Sequence, residues 1–243
     1  MSLPRFYSPI ALTVGSLVEL ASSAAHHAVK VLRLRVGDGL ILFDGEGGEY
    51  TAAIERIDKK LVLVNVQSHQ DIERESPLVI TLVQAVSSRD RMDVTLQKAV
   101  ELGVARIIPV MSQRSLVRLD GERAEQRMLH WQQVVIAACE QCGRNRVPQV
   151  EALVPLANFL QRPGMDAGRW MLSPRAEQAL RTQEKPQAAM ELLVGPEGGL
   201  SNDEESAAVN AGYRPVRLGP RILRTETAAP ALLAALQALW GDF

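Results

Sequence analysis

The sequence predicts an α/β protein in two domains, a small β-rich one followed by a larger one built on a mostly parallel sheet. Three observations carry this. Up to about residue 70, short alternating or apolar runs are separated by Gly and Asp, as in antiparallel strands. From Leu78 onward, apolar β-branched runs alternate with helix-period segments, the pattern of parallel strands joined by helices. Two glycine-bearing loops, VGPEGGLS and LGPRILRTE, stand where such strands end, and that is where parallel sheets hold ligands.

The elements follow in order. SSAAHHAVKVLRLRVGD reads as a short helix and a turn, and DGLILFDGEGGEYTAAIERIDKKLVLVNVQ as strands with Gly, Asp and DKK turns. The charged stretch Ser68–Pro77 suits a linker, which sets domains at 1–72 and 73–243. Leu78–Val86 is nearly all apolar, a strand buried on both faces. Met92, Leu96, Ala99 and Val100 form one helical stripe that ends at Gly103, a plausible C-cap. RIIPVM is the next strand, and Glu122–Gly143 a long helix with Met128, Trp131, Val135, Ala138 and Cys142 at helical spacing. RWMLSP, MELLVG and YRPVRLG are further strands, the last two followed by helices. Pro230 falls inside the final helix, where it removes a backbone bond.

Composition narrows the function classes. With 243 residues, 47% of them hydrophobic and 23% charged, the chain buries an ordinary core. A net charge of −1 leaves room for a nucleic-acid surface only as a local patch. No apolar run is long enough for a bilayer, and MSLPRFYSPI lacks a signal-peptide core, so a cytoplasmic protein with no membrane partner is expected. The pair Cys139 and Cys142 resembles a redox or zinc motif. It lacks a second Cys/His pair for zinc and lies near a helix C-terminus, where the dipole does not lower a thiol pKa. No metal is expected.

The turn Gly195–Gly199 decides what kind of guest the larger domain takes. Gly195, Gly198 and Gly199 can adopt positive φ and bring a ligand against bare backbone. The chemistry stands against a phosphate: no Walker lysine follows, Pro196 has no N–H, Glu197 is negative, and GxGxxG spacing is absent. Ser201 and Glu204 are spaced as a capping box, which explains the acids of SNDEE but not Glu197. The turn therefore favours a donor-rich or positively charged guest. In RLGPRILRTETAA, Arg217, Arg221 and Arg224 surround the single acid Glu226, with Thr225 a plausible N-cap. Alone, that loop is an ordinary solvated turn and cap. Its neighbouring glycine loop argues for a shared cleft.

LLVGPEGGLSNDE with LGPRILRTETA, preceded by QKAVELGV and CEQCGRNRVP, resembles the ribosomal RNA small-subunit methyltransferase E family. These are SPOUT-class enzymes that methylate N(3) of a uridine in 16S rRNA with S-adenosylmethionine. The resemblance spans nearly the whole chain, since PRFY, HHAVKVLRL and FDGEGGEY are similar to the family's PUA-like RNA-binding domain. It implies a trefoil-knotted methyltransferase domain, a homodimer, and the 16S rRNA of the small ribosomal subunit as partner. It further implies that the methyl donor is held by Leu172 and Ser173, by Gly195, Pro196, Glu197, Gly198 and Gly199, and by Leu218, Gly219, Ile222, Leu223 and Thr225. Backbone groups of Leu172, Gly195, Gly198, Leu218, Ile222 and Leu223 are expected around the adenine and ribose.

Methylating an imide nitrogen requires its proton to leave, which spreads negative charge over the flanking carbonyl oxygens. A guanidinium is the natural partner for that anion, and the role falls to Arg221 or Arg224. Glu226 and Glu197 are candidates to accept the proton or to orient an arginine.

For RNA contact, the segment up to Val36 has Arg5, Lys30, Arg33 and Arg35 against Glu19 alone, a patch suited to phosphates. His27 is either a base contact or an ordinary helix-surface histidine, and Phe6 and Tyr7 either stack on bases or pack. Arg144 has two readings of equal weight, an ion pair with Glu140 four residues earlier or a contact to RNA or a partner subunit. Two other functions compete: an RNA-binding ribosome-assembly factor with a vestigial donor pocket, and a SPOUT enzyme that methylates a ribose 2′-hydroxyl of another RNA.

Overall fold

The computed structural model describes residues 3–59, 61–163, 167–187 and 189–243. They form two compact units, one up to Glu75 together with Ile136–Val147, the other Ser76–Val135 with Pro148–Phe243.

The first unit is a five-stranded sheet of β1 (Arg5–Tyr7), β2 (Leu17–Glu19), β3 (Gly39–Phe43), β4 (Glu49–Ile57) and β5 (Val62–Gln70), in the order β1-β3-β4-β5-β2. All pairs are antiparallel except β1 with β3. Inward positions alternate along β3 to β5, so Leu40, Leu42, Ile54, Val64 and Val66 bury against Phe6 and against Ala24, Ala25 and Ala28. These alanines come from helix α1 (Ser22–His26) and the wider π turn that continues it, His27–Val31. The predicted DKK turn closes with the Asp58 N–H donating to Leu61 O at 2.8 Å; Lys60 lies outside the described residues.

The expected linker is corrected in two ways. Ser68–Gln70 belong to β5, and the charges that follow are ion-paired: Glu73 with Arg146 at 3.5 Å, Arg74 with Glu49 at 3.0 Å, and Glu75 with Arg144 at 2.5 Å. The partners stand 25 or more residues away, so the run by itself does not show the pairing.

The second unit contains β6 (Ile80–Ala85), α2 (Arg89–Glu101), β7 (Arg106–Met111), α3 (Gly121–Cys142, its last residues in the first unit), β8 (Gln149–Val150), β9 (Val154–Pro155) and α4 (Leu156–Leu160). It continues with β10 (Ala167–Leu172), β11 (Ala189–Val194), α5 (Asn202–Asn210), β12 (Arg214–Val216) and α6 (Thr225–Trp240). The sheet order is β12-β10-β11-β6-β7-β8, with β9 also on β7, and every pair is parallel. Every residue of β6 is buried, as an interior parallel strand requires. Met92, Leu96, Ala99 and Val100 of α2 are fully buried, and α2 packs against α6.

Ser201 and Glu204 make the expected capping box, with the Ser201 hydroxyl accepting the Glu204 N–H and the Glu204 carboxylate accepting the Ser201 N–H. Thr225 departs from its expected role. The N-cap of α6 is Arg224, and Thr225 is the first helical residue. Pro230 lies inside α6, which continues past it to Trp240.

Cys139 and Cys142 are both free thiols on α3. Burial pushes the Cys139 thiol up to about 12. We expect Ellman's reagent near neutral pH to leave Cys139 unmodified in the native protein and to titrate both thiols after denaturation. Rapid native labelling of Cys139 would restore the redox reading.

Candidate active site

Strands β12, β10 and β11 are neighbours, and their registers pair Leu172 with Val216 and Met171 with Leu193. Three loops therefore leave the sheet side by side at its C-terminal edge: Ser173–Arg175, Gly195–Leu200 and Arg217–Arg224. Between them lies a cleft of about 250 Å³. Leu172, Ser173, Gly195, Pro196, Glu197, Gly198, Gly199, Leu218, Gly219, Ile222, Leu223 and Thr225, the whole expected donor set, line it, as does Arg221.

Each loop is fixed by identifiable bonds. In the first, the buried Ser173 hydroxyl donates to Glu205 at 3.4 Å, and Arg175 pairs with the same carboxylate at 2.9 Å. In the second, the Gly199 N–H donates to Pro196 O at 2.9 Å with Gly199 at φ +67°. Gly195 and Gly198 do not use the positive φ open to them. They are small because a Cβ on Gly195 would stand 3.1 Å from the Leu200 nitrogen, and one on Gly198 would stand 3.2 Å from the Arg114 Cβ. The Thr225 hydroxyl donates to Gly195 O at 2.9 Å and accepts from Gln84 Nε2 at 3.3 Å, so α6 starts clamped onto the glycine turn. In the third loop, Gly219 takes φ +144°, a conformation side chains rarely adopt.

Glu197 is the most constrained charge in the cleft. Its Oε1 accepts the Ser88 N–H at 2.8 Å and lies 3.4 Å from Arg91 Nη1. Arg91 also reaches Glu226 through Nε at 3.7 Å. Burial acts to raise the Glu197 pKa, but the Ser88 hydrogen bonds and the Arg91 charge outweigh it and hold the carboxyl below the usual range. Glu197 is therefore a fixed anion and a weak base.

The expected catalytic residues divide accordingly. Arg221 is exposed on the cleft wall, and no carboxylate pairs with it among the described residues. Arg224 and Glu226 are not among the lining residues. Arg224 caps α6 through its carbonyl, which accepts the Thr227 and Ala228 N–H groups, and Glu226 faces Arg91. Of the two roles open to the acids, the geometry of both is that of holding an arginine, and that arginine is Arg91.

Sequence reasoning missed Glu205 in the lining and Ser88, Arg91 and Gln84 behind it, and noted Arg217 in the arginine loop without assigning it to the donor site. Gln84 carried a readable signal, a lone amide within an apolar strand. Ser88 and Arg91 carried none, since Ser88 and its partner Glu197 stand 109 residues apart.

In the first unit the cationic patch is only partly a surface. His27, Lys30, Arg33 and Arg35 are exposed, with Arg33 at φ +58°. Arg5 is turned inward: its guanidinium bonds Glu49 at 2.6 Å and Asn145, and lies 5.1 Å over the Phe43 ring. Arg144 is 4% exposed and donates to both oxygens of Glu75 at 3.0 and 2.5 Å, while Glu140 accepts the Tyr7 N–H. Arg144, buried and bidentate, has the geometry of a structural ion pair, and Arg5, partly buried, is committed to Glu49 and Asn145, so neither guanidinium is presented as a free surface cation. Phe6 is fully buried, and its ring meets His27 edge-on at 5.8 Å.

The sequence pattern of the RNA methyltransferase domain matches residues 74–237, and that of the RNA methyltransferase PUA domain matches residues 20–67. Fold and site thus define an RNA methyltransferase with a PUA domain ahead of its catalytic domain. Ribosomal RNA small subunit methyltransferase E of Buchnera aphidicola is 31% identical over 99% of this chain and 95% of its own, and that of Rickettsia conorii 31% over 98% and 97%. The chain belongs to the ribosomal RNA small subunit methyltransferase E family. Among solved structures, the family member from Neisseria gonorrhoeae bound to S-adenosyl methionine superposes with a TM-score of 0.95 at 45% identity over 100% of both chains. A putative methyltransferase from Legionella pneumophila, in complex with the bound cofactor SAM, gives 0.96 at 40% identity, also over 100% of both.

Proposed function

We propose that this protein methylates N(3) of a uridine in 16S rRNA, with S-adenosylmethionine as donor. One observation carries the reading: the glycine turn and the arginine loop share a single cleft that has carboxylates and an unpaired guanidinium but no phosphate cradle. The lining suits that donor. Leu172, Val194, Leu218, Leu223 and Ala228 offer an apolar bed for an adenine, and Glu197 and Glu205 offer negative charge to a cationic carrier. When bound, S-adenosylmethionine supplies a methyl group activated by the sulfonium.

The chain's own part is placement and charge. The three loops fix the donor site, so that a nucleobase entering from the open side meets Arg221. There the permanent guanidinium charge stabilises the imide anion as its proton leaves. Glu197, held below the usual carboxylate range, is the anchor of the turn, and the proton departs to solvent at the cleft mouth. A homodimer, a trefoil-knotted chain, a cytoplasmic location and RNA contact by His27, Lys30, Arg33 and Arg35 belong to the same reading. No helix among the described residues is long and apolar enough to cross a membrane.

Nucleoside mass spectrometry of small-subunit rRNA from cells with and without the protein tests this. We expect N(3)-methyluridine to disappear in its absence and to return when purified protein and donor are added. Loss of a ribose-methylated nucleoside, or an unchanged profile, would overturn it.

A further inference from the structure

The loop after β7, Ser112–Leu119, does not line the donor cleft but is laced to its wall. Arg114 Nη1 donates to Gly198 O at 3.1 Å and to Leu200 O at 3.2 Å. The Gln113 N–H donates to Glu204 at 2.7 Å. Arg118 folds back over the loop, with Nη1 donating to Ser112 O at 3.3 Å and Nη2 to Gln113 O at 2.9 Å. Beneath, Ser112 and Ser115 are buried with their hydroxyls 3.2 Å apart, so the turn is built and not draped.

What matters is the kind of acceptor. A carboxylate would orient a guanidinium and cancel its charge. A backbone carbonyl orients it and leaves the charge in place. Arg114 and Arg118 are both exposed, both bonded to carbonyls, and among the described residues neither is paired with a carboxylate. Leu116, 72% exposed between them, adds an apolar face. Arg217 and Arg221 line the cleft itself, likewise exposed and without a carboxylate partner among the described residues. A polyanion whose base enters the cleft must carry its flanking phosphates past that mouth.

We propose that Ser112–Leu119 is a second RNA-contacting surface, on the methyltransferase unit, where Arg114 and Arg118 take backbone phosphates beside the target nucleotide. This rests on the rRNA-methyltransferase reading above. Because Arg114 is bonded to the glycine turn, its replacement would disturb donor and RNA together. Among the described residues Arg118 bonds only its own loop, so it separates the two effects.

The test is binding of purified 16S rRNA to the full chain across a salt series, with S-adenosylmethionine affinity measured in parallel. Arg118→Gln is expected to weaken RNA binding and to flatten the slope of log affinity against log salt by about 0.7–0.9, one phosphate contact. Donor affinity should not change. Arg118→Lys, which keeps the charge but loses the planar fork, should restore the slope. A parental slope in Arg118→Gln overturns the proposal, as does a loss that lysine fails to rescue or one matched by lost donor affinity, either of which marks the loop as structural. If the parent methylates 16S rRNA and the Arg118→Gln slope is unchanged, only this surface falls. If the parent does not methylate it, the functional reading falls as well.

Discussion

Arg221→Ala is expected to slow methyl transfer by about 10²–10³-fold, the usual effect of removing one preorganised charge aimed at a developing anion, and to leave donor affinity nearly unchanged. The asymmetry follows from where the side chain stands. Arg221 lies on the cleft wall, exposed, with no carboxylate to satisfy among the described residues. Its loss thus breaks no internal pair, and the fold should not register it. The charge matters only when a second one appears, and that happens as the uracil imide loses its proton. A lysine keeps the charge but not the planar two-donor geometry and should recover part of the rate. Arg224→Ala is the internal control. Arg224 caps α6 through its main chain, which alanine retains, so its side chain should affect the rate far less. Single-turnover transfer of a labelled methyl group, with donor affinity from calorimetry, distinguishes the two. Equal losses in both variants, or an Arg221→Ala enzyme with parental turnover, would remove Arg221 from the role.

How much of this was legible in the sequence depends on the range of the interaction. Strands and helices were readable because period and burial are local: β6 is buried throughout, as its nearly unbroken apolar run requires, and the Ser201–Glu204 capping box closes within one helical turn. The cleft was readable because three short loops at one sheet edge each carry glycine, proline or arginine where strand periodicity stops. Charge pairing was not readable. Arg5 and Arg144 look like surface cations until Glu49 and Glu75 are brought to them, 44 and 69 residues away in sequence. Thr225 looks like a cap because its type suits one, yet its hydroxyl is committed to Gly195 O across the sheet edge. The same holds for the acids of the site. A sequence can show that Glu197 and Glu226 stand near arginines, but only the fold selects Arg91 over Arg221 and Arg224.

That selection leads to the other large expected effect. Arg91→Ala should weaken S-adenosylmethionine binding by about tenfold or more, equivalent to about 1.4 kcal/mol, and lower the thermal midpoint as well. Arg91 is the cation between Glu197 and Glu226, whose side chains are 11% and 21% exposed. Each acid also has one oxygen, Oε2, that is buried without a hydrogen-bond partner. Without Arg91, two poorly solvated carboxylates beside the glycine turn lose their shared counter-charge, and the turn must shift to let water reach them. Arg91 is itself 37% exposed, so solvent screens part of the effect and the loss should fall below that of a fully buried pair.

The pH dependence gives the signature. In the parent, the folded Glu197 pKa lies below the ordinary carboxylate range, so its stabilisation is fully present above that range and is lost as pH falls further. Glu197 should therefore leave parental donor binding flat across about pH 5 to 8. In Arg91→Ala one of the charges that lower the Glu197 pKa is gone while the Ser88 hydrogen bonds, the larger cause, remain, so the folded pKa moves back towards the ordinary carboxylate range and the acid-side loss of stability should be smaller than in the parent. Replacing Glu197 by Gln in the Arg91→Ala background removes the uncompensated charge and should recover part of the lost thermal midpoint, a non-additivity expected of groups in contact. Arg91→Lys should remain close to the parent. Because Arg91 acts through the turn and not on the reacting atoms, saturating donor should restore most of kcat. A variant with parental affinity, parental midpoint and a parental acid-side stability profile would show that the Arg91 bridge does not hold the turn in place.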